Sequence, residues 1–489
     1  MQYFKHALFS LFIFLSFNLV GKTDDLKFIL RNMQAQNYFM NLFPIESTLV
    51  QSGVTHFTLL SGNGSSNGFS RSIEINGDQY VIGNNLDRAT LSRISNSGVL
   101  LWTNEVQDTS SWSDLIMNGN GNILLVGQRD RDITSGTPGG RDLLVGECTT
   151  AGVFLNLQSI DYTYQETYTA IKRNPNPANT AYPFYALGQA EFSADKPILS
   201  FLNNSGIELQ RITYDYNGDD EVHSISEMNS NGDFEIMGWV NGIGNVTRID
   251  RMGNVISSTQ FSQDLLFYSD LPLSSGTSFS NVLAGTLNGA GLIAYYSNIN
   301  SQNIYYTSNN LTRIYELVQY NATSFYALGL GVFSGVPRVV VMKFSINSGS
   351  INLDWARYMR ASTNTSSLAG RLRLDDSKTH LILTEVRNDV ANGYGSNDGV
   401  LSVQGLDFND CDPVDVTINF TTQAYTPQTI AVTRNDIQAA TPISLSAQTI
   451  SYQSKFLCTP ISPCSTSFTY QLSNCGEVNF FATTNLSSA

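Results

Sequence analysis

The sequence predicts an all-β protein, a seven-bladed β-propeller whose blades each contain four antiparallel strands. Two observations carry this prediction. A short hydrophobic strand closed by a small residue recurs seven times, and a hairpin pattern of strand, Asn/Ser-Gly turn and strand recurs between the copies. The repeat length of about 45–55 residues is typical of a four-stranded propeller blade, whereas the alternative, a linear solenoid, usually has shorter repeats.

The recurring strand is the second strand of each predicted blade. Six copies end in glycine, which fits close backbone packing or a turn with positive φ, and the last copy ends in Thr384. The seven copies are Asp78–Gly83, Asn122–Gly127, Phe184–Gly188, Phe234–Gly238, Asn281–Gly285, Phe325–Gly329 and His380–Thr384.

The hairpin pattern supplies the third and fourth strands. A turn containing Gly between two apolar alternating strands is a hairpin signature. Clear copies occupy residues 89–102, 197–209, 246–256 and 339–351.

Closure of the ring requires a strand from elsewhere, because the last blade, at about residues 367–408, offers only three. Gly53–Leu60 is an orphan strand upstream of the first blade. We expect it to complete the last blade, so the ring would span residues 53–410.

The two ends of the chain differ from the repeats. Residues 1–21 combine a basic start, a short apolar run and Gly21, the pattern of a secretory signal peptide. The run is short for a membrane span, so we expect none after cleavage. Residues 22–52 are predicted to be helical or irregular. Residues 411–489 form a separate, small C-terminal β segment in this interpretation.

Four of the five cysteines, Cys411, Cys458, Cys464 and Cys475, lie in this C-terminal segment. An exported chain can form disulfides, and four cysteines pair in three ways. We favour Cys411–Cys458 with Cys464–Cys475 and leave the other pairings open. Cys148 is predicted to be a buried thiol.

Composition limits the partners. The formal net charge is −14 and only 14% of residues are charged. An acidic surface repels phosphate backbones, so we exclude nucleic acid as a partner. The excess of uncharged polar residues is common in secreted β-rich proteins.

The blades resemble the secreted propeller repeats of bacterial surface proteins, in which a Gly-closed hydrophobic strand and an Asn-Gly turn leading towards Trp recur. The resemblance covers about residues 60–410. Residues 464–488 resemble the opening of a PKD-type, immunoglobulin-like domain of adhesin-like exported proteins. These resemblances imply a secreted or cell-surface protein, and attachment to further domains or subunits stays open. They carry over no catalytic residue.

One acidic loop is a candidate cation site. Asp215, Asn217, Asp219 and Asp220 place oxygen ligands close together, as calcium requires, although the spacing is not that of an EF-hand. A solvated turn between two blades is the alternative. We expect no other cofactor.

No catalytic motif occurs: the chain lacks HExxH, a Gly-x-Ser-x-Gly elbow and a Walker loop. The long loops at residues 388–399 and 129–142 are candidate binding loops. We therefore expect a module that binds a glycan or protein, or a scaffold. The alternatives are a polysaccharide hydrolase or lyase at the propeller mouth and a structural subunit of a filament or surface layer. Two carboxylates converging with His, Tyr or Arg in the funnel would favour the enzyme.

Overall fold

The computed structural model describes residues 56–62, 67–130, 140–161, 165–174, 182–191, 195–216, 218, 220–227, 233–274, 280–297, 303–347, 349–359, 366–388, 397–410, 413–437, 440, 442–461, 468–472 and 478–482. The chain divides into Met1–Gly53 and Val54–Ala489. The first unit, with the predicted signal peptide and the 22–52 segment, lies outside the described residues.

The second unit is a seven-bladed β-propeller, as the sequence predicts. Consecutive strands pair antiparallel within each blade. Blades 1 to 3 contain β2 (Asn67–Ile75), β3 (Asp78–Asn85), β4 (Arg88–Ile94) and β5 (Leu100–Val106); β6 (Ser110–Met117), β7 (Ile123–Asp130), β8 (Arg141–Cys148) and β9 (Phe154–Ile160); and β10 (Gln165–Arg173), β11 (Phe184–Glu191), β12 (Asp195–Leu202) and β13 (Glu208–Asp215).

The remaining blades repeat this plan. Blades 4 to 7 contain β14 (Asp220–Glu227), β15 (Phe234–Val240), β16 (Ile243–Ile249) and β17 (Val255–Gln263); β18 (Leu265–Ser274), β19 (Ser280–Leu287), β20 (Ala290–Ser297) and β21 (Asn303–Ser308); β22 (Leu311–Asn321), β23 (Ser324–Phe333), β24 (Val336–Asn347) and β25 (Ser350–Met359); and β26 (Ser366–Leu374), β27 (His380–Asn388) and β28 (Asp398–Gly405).

The ring is closed, both by contacts between the innermost strands and by hydrophobic packing between neighbouring blades. The first strand of every blade contacts the first strands of both neighbouring blades, including β2 with β26. Seven buried hydrophobic clusters fill the seven interfaces between blades. Because both faces of a blade are covered, the second strands read as continuous apolar runs; Val81 and Ile82 are fully buried on opposite faces of β3.

Blade 7 contains a strand from the start of the ring. β1 (His56–Gly62) pairs antiparallel with β28, Leu59 opposite Leu401. Leu59 is buried in the cluster between blades 7 and 1. The orphan strand identified at Gly53–Leu60 therefore overlaps a strand that joins the two ends of the ring.

The prediction of four strands per blade is wrong, because every blade has five. The fifth strand comes from the C-terminal segment, which visits the blades in the order 6, 5, 4, 3, 2, 1, 7 and pairs antiparallel with the outermost strand of each. These strands are β29 (Pro413–Asp415), β30 (Thr421–Ala424), β31 (Gln428–Thr429), β32 (Thr433–Ile437), β33 (Pro442–Ser444), β34 (Ala447–Ile450) and β35 (Gln453–Ile461).

We call residues 413–461 the belt. The sequence analysis assigns residues 411–489 to a separate β segment, whereas the belt belongs to the sheets of the ring. Only β36 (Phe468–Leu472) and β37 (Val478–Ala482), which pair with each other, are described within the PKD-like stretch. Cys411, Cys464 and Cys475 lie outside the described residues, and for Cys458 only the backbone is described, so the disulfide pairing stays a prediction.

Apolar side chains anchor the belt in the grooves between blades. Ile418 is buried in the cluster between blades 5 and 6, and Tyr425 packs on the cluster between blades 4 and 5, where its ring stacks on Tyr305 at 3.9 Å. Phe408, just before the belt, is buried between blades 6 and 7. Each of the remaining grooves also contains belt residues. They are Ile430 and Val432 between blades 3 and 4, Ala440 between blades 2 and 3, Leu445 and Ala447 between blades 1 and 2, and Tyr452 between blades 7 and 1.

The recurring glycine is explained by a β-bulge in the first strand of each blade. In blade 3 the register between β10 and β11 shifts at Thr169, beside Gly188. A Cβ on Gly188 would lie 2.0 Å from the carbonyl oxygen of Thr167. Equivalent glycines of four other blades, Gly83, Gly127, Gly238 and Gly285, face the same carbonyl contact at 1.8–2.0 Å. The residue is conserved along the repeat because no side chain fits there.

Blade 7 lacks this contact, which is why threonine is tolerated. Its bulge, at Leu368, lies opposite Val386 and Arg387, which follow Thr384 further along β27. The hydroxyl of Thr384 instead donates a hydrogen bond of 2.9 Å to the carbonyl oxygen of Ser70 in blade 1. The exceptional residue therefore links the last blade to the first.

The two faces of the ring carry different connections. One face, which we call the upper face, carries the connection from the second to the third strand of each blade and the connection from each blade to the next. The other, lower face carries the remaining turns within each blade. The strand ends that flank the candidate loops at 129–142 and 388–399, and the end of β13 at Asp215, lie at the upper face by this topology. In the described part of the chain, no helix is long and apolar enough to cross a membrane.

Candidate functional site

The innermost strands surround the central channel, and each of them contains a bulge. Each bulge sits in the upper half or at the middle of its strand, and a bulge reorients the side chain it carries. The residues at six of the bulges are Ser70, Ser113, Thr169, His223, Tyr268 and Tyr315.

Two arginine–carboxylate pairs meet in the channel. Arg71 of blade 1 lies 3.4 Å from Asp114 of blade 2, and Arg371 of blade 7 lies 3.1 Å from Glu316 of blade 6. Burial lowers the pKa of Arg371, and repulsion from the nearby Arg71 lowers it further. Burial also lowers the pKa of Arg71, but the carboxylates of Asp114 and Glu316 outweigh it and raise that pKa overall.

Tyr315 joins a third arginine to this group. The guanidinium of Arg371 lies 6.0 Å from the centre of the Tyr315 ring, and that of Arg313 lies 5.8 Å from it. Burial raises the pKa of Tyr315, so its hydroxyl keeps its proton. We call Arg71, Asp114, Arg313, Tyr315, Glu316 and Arg371 the channel cluster.

Aromatic side chains extend the channel cluster towards blade 4. The ring of Tyr268 contacts the ring of His223 at 5.0 Å, and Arg313 is hydrogen-bonded to Tyr268. The indole of Trp239 donates a hydrogen bond of 2.7 Å to Glu221. Burial lowers the pKa of His223, with Glu221 opposing and Arg371 adding to the shift, so this imidazole is neutral at pH 7. We call Glu221, His223, Trp239 and Tyr268 the aromatic arm.

The channel cluster and the aromatic arm form one arc of buried and half-buried groups. The arc contains hydrogen-bond donors, acceptors and aromatic faces, drawn from blades 1, 2, 4, 5, 6 and 7. In general, polar rings can stack on aromatic faces while their hydroxyls pair with charged groups. Both carboxylates of the channel cluster are already paired with arginine, and the backbone N–H groups of Leu115 and Ile171 also donate to Asp114, each at 3.0 Å.

A second pair of acids is buried between blades 4 and 5. Glu235 accepts a hydrogen bond from Asn281, and Asp270 accepts one from Ser226. Burial raises the pKa of Glu235 to about 8, with a further contribution from Asp270, and burial raises the pKa of Asp270 to about 7. Both groups therefore retain protons in the folded protein well above the pH at which the unfolded chain loses them.

This pair predicts a loss of stability as the pH rises. The folded state holds protons that the unfolded state releases near pH 4, so unfolding becomes easier between about pH 4 and pH 8, by roughly 1.4 kcal/mol per pH unit for each of the two groups. We expect Glu235→Gln to flatten this dependence in urea denaturation at pH 5 to 8. Glu191→Gln, at an exposed position, is the control. An unchanged pH dependence in Glu235→Gln would contradict the assignment.

The candidate calcium loop is only partly described. Asn217 and Asp219 lie outside the described residues. Asp215 pairs with Lys196 at 2.5 Å, and the backbone N–H of Tyr216 donates to Asp220 at 3.3 Å. Among the described residues, no three His, Cys, Asp or Glu side chains are grouped as a metal site. Calcium at this loop stays a prediction.

A turn at the lower face contains an Asp–His pair that the sequence analysis does not identify. Asp375 is 3.1 Å from Nδ1 of His380 and also accepts hydrogen bonds from Ser377 and Thr379. These hydrogen bonds lower the pKa of Asp375 to about 2, although burial opposes them. All partners belong to one turn, so the arrangement stabilises the turn between β26 and β27.

Cys148 is a buried free thiol, as predicted, and burial raises its pKa to about 12. The thiolate is the reactive form, so the folded protein should resist alkylation at this position. We expect iodoacetamide to modify Cys148 only after unfolding in urea, as measured by peptide mass spectrometry. Rapid modification in native buffer would show that the interface between blades 1 and 2 opens.

Comparison with known proteins adds only remote likenesses. No protein-family model and no curated protein matches the chain. The Dos1 propeller is 11% identical with a TM-score of 0.41, covering 70% of this chain and 93% of that chain. Sqt1 from Chaetomium thermophilum is 10% identical with a TM-score of 0.42, covering 72% and 100%. The phage phi92 endosialidase is 9% identical with a TM-score of 0.39, covering 89% and 76%. Likenesses this distant say nothing about what this chain binds.

Proposed function

We propose that this protein is an exported binding module that takes a carbohydrate at the upper mouth of its channel. The observation that carries the proposal is the arc of aromatic and charged side chains built from six blades. A site assembled from many blades depends on the closed ring to position it. The excess of uncharged polar residues and the signal-like N-terminus support export.

Binding is favoured over hydrolysis by the pairing of the carboxylates. Asp114 and Glu316 do meet Arg71, Arg371 and Tyr315 in the funnel, which is the convergence expected of an enzyme. A glycosidase, however, uses one carboxylic acid as proton donor and one free carboxylate. Here each carboxylate forms an ion pair with an arginine, so neither is a free nucleophile or base.

A glycan array with the purified full chain tests the proposal. We expect a restricted set of oligosaccharides to bind, and Tyr268→Ala to weaken that binding at least about tenfold, because stacking on an aromatic anchor is lost. Arg251→Ala, at an exposed turn of the lower face, is the control and should bind normally. Release of reducing ends from the bound glycan would favour the hydrolase instead. Binding that survives Tyr268→Ala would place the site elsewhere.

A further inference from the structure

We propose that the ligand of the channel site carries an anionic group, a carboxylate, sulfate or phosphate, whose oxygens lie between Arg71, Arg371 and Tyr315. This inference rests on the proposed carbohydrate-binding function and specifies the class of carbohydrate. Its basis is that the channel cluster contains buried hydrogen-bond donors without a partner, while both of its carboxylates are already ion-paired with arginine.

The unpaired donors belong to two blades. The Nε of Arg71 and the hydroxyl of Tyr315 are buried and have no hydrogen-bond partner among the described residues. Tyr315 is only 8% exposed. Arg371 makes its hydrogen bonds through Nη1 alone, to the carbonyl oxygen of Tyr315 and to Glu316, and its side chain is 34% exposed. A buried donor without an acceptor is costly, so a bound acceptor group would be stabilising.

The carboxylates, in contrast, already have partners. One oxygen of Asp114 faces Arg71 and the N–H of Leu115, and the other accepts from the N–H of Ile171. One oxygen of Glu316, Oε2, accepts from Arg371. A neutral hydroxyl could also accept from the free donors, but an anion adds charge attraction to the guanidinium groups.

The charge of the channel cluster has the sign that an anion needs. Within the channel cluster, three guanidinium groups, those of Arg71, Arg313 and Arg371, face two carboxylates, which leaves a net charge of about +1. The neighbouring carboxylate, Glu221 of the aromatic arm, accepts a hydrogen bond from Trp239. The whole chain carries −14, so the channel cluster itself is a cationic exception. An anion between Arg71 and Arg371 would relieve the repulsion between them, and guanidinium forks match planar carboxylates and tetrahedral oxyanions.

Matched pairs of oligosaccharides test the inference. Titration calorimetry would compare an oligogalacturonate with its fully methyl-esterified form, and a sulfated galactan oligosaccharide with its desulfated form. Inorganic phosphate and sulfate would serve as competitors. We expect the charged member of a pair to bind about tenfold or more tightly, which corresponds to one charge-assisted hydrogen bond. The pair that shows the difference identifies the anionic group.

Variants separate this inference from the proposed function. Arg371→Gln should remove most of the preference for the charged form, Arg371→Lys should keep part of it, and Arg251→Gln at the lower face should keep all of it. Thermal unfolding of each variant establishes that the ring is folded. If charged and neutral forms bind equally while Tyr268→Ala still weakens binding, the anion site is wrong and the proposed function stands. If no oligosaccharide binds, the proposed function itself fails.

Discussion

A chain that stops after Asp410 is expected not to form a stable ring. The belt supplies the fifth strand of every blade and places apolar anchors between the blades. Burial of one such side chain contributes about 1.5–3 kcal/mol, so six grooves together contribute on the order of 10 kcal/mol. That is comparable to the whole stability of an ordinary domain. We expect the truncated chain to aggregate or to unfold at much lower temperature, as measured by size-exclusion chromatography and calorimetry.

Edge exposure adds to this effect. Without the belt, seven outermost strands would present unpaired backbone groups, which are templates for association between chains. The belt strands themselves are short, and those crossing blades 5 and 4, β30 and β31, present only exposed side chains. Such an edge discourages further pairing. A truncated chain that stays monomeric with an unchanged melting temperature would contradict this account.

Single substitutions in the belt refine the prediction. Tyr425→Ala removes the ring that stacks on Tyr305 and should lower the free energy of unfolding by about 3 kcal/mol. Gln423→Ala changes an exposed side chain of the same belt and should have an effect within about 0.5 kcal/mol. Equal effects of the two substitutions would indicate that Tyr425 does not anchor the belt.

Gly188→Ala is expected to destabilise blade 3 severely. The new Cβ would lie 2.0 Å from the carbonyl oxygen of Thr167 and 3.0 Å from the Cα of Tyr168, and both atoms belong to the backbone of a bulged strand. Relief requires the innermost strand to move, which also disturbs its contacts with blades 2 and 4. We expect a loss of about 3 kcal/mol or more in urea denaturation.

The control for this substitution is a glycine whose neighbouring atoms belong to a flexible side chain. A Cβ on Gly119, in the turn between β6 and β7, would lie 3.1 Å from the amide oxygen at the end of the Asn204 side chain. That side chain can shift, so Gly119→Ala should cost little. A Gly188→Ala variant as stable as Gly119→Ala would show that the bulge does not require glycine.

The sequence predicts the ring well because its signals are local and repeated. The second strands are buried on both faces, so each reads as a continuous apolar run, and the bulge requires glycine at the same point in five blades. Thr384 marks the one blade with a shifted bulge. These features depend on a few neighbouring residues and survive variation of the loops between them.

The belt could not be predicted, because its pairing partners are distant and its strands lack a pattern. Thr421–Ala424 is wholly polar apart from Ala424 and exposed along its length, without the alternation of a half-buried strand. Its partner, β21, lies more than a hundred residues earlier in the chain. The anchors, such as Ile418 and Tyr425, are isolated apolar residues. Only the absence of a core within residues 411–461 hinted that this segment packs on something else.

The channel cluster was also missed, for a related reason. Arg71, Asp114, Glu316 and Arg371 each lie alone in the first strand of a different blade, and only ring closure brings them together. The signal that the sequence offered was a charged residue in the first strand of several blades, in a chain where charged residues are few. The long upper loops were considered instead, and most of their residues lie outside the described part of the chain.

Hydrogen exchange of the full chain, followed by mass spectrometry, tests the central claim most directly. The account predicts that amides of β32 and β34, which pair with blades 3 and 1, are protected far longer than those of an unpaired polar segment. It also predicts that Tyr425→Ala accelerates exchange in β30 more than in β3, on the far side of the ring. Exchange of all belt peptides within seconds, with the blades still protected, would contradict a belt that completes the seven blades.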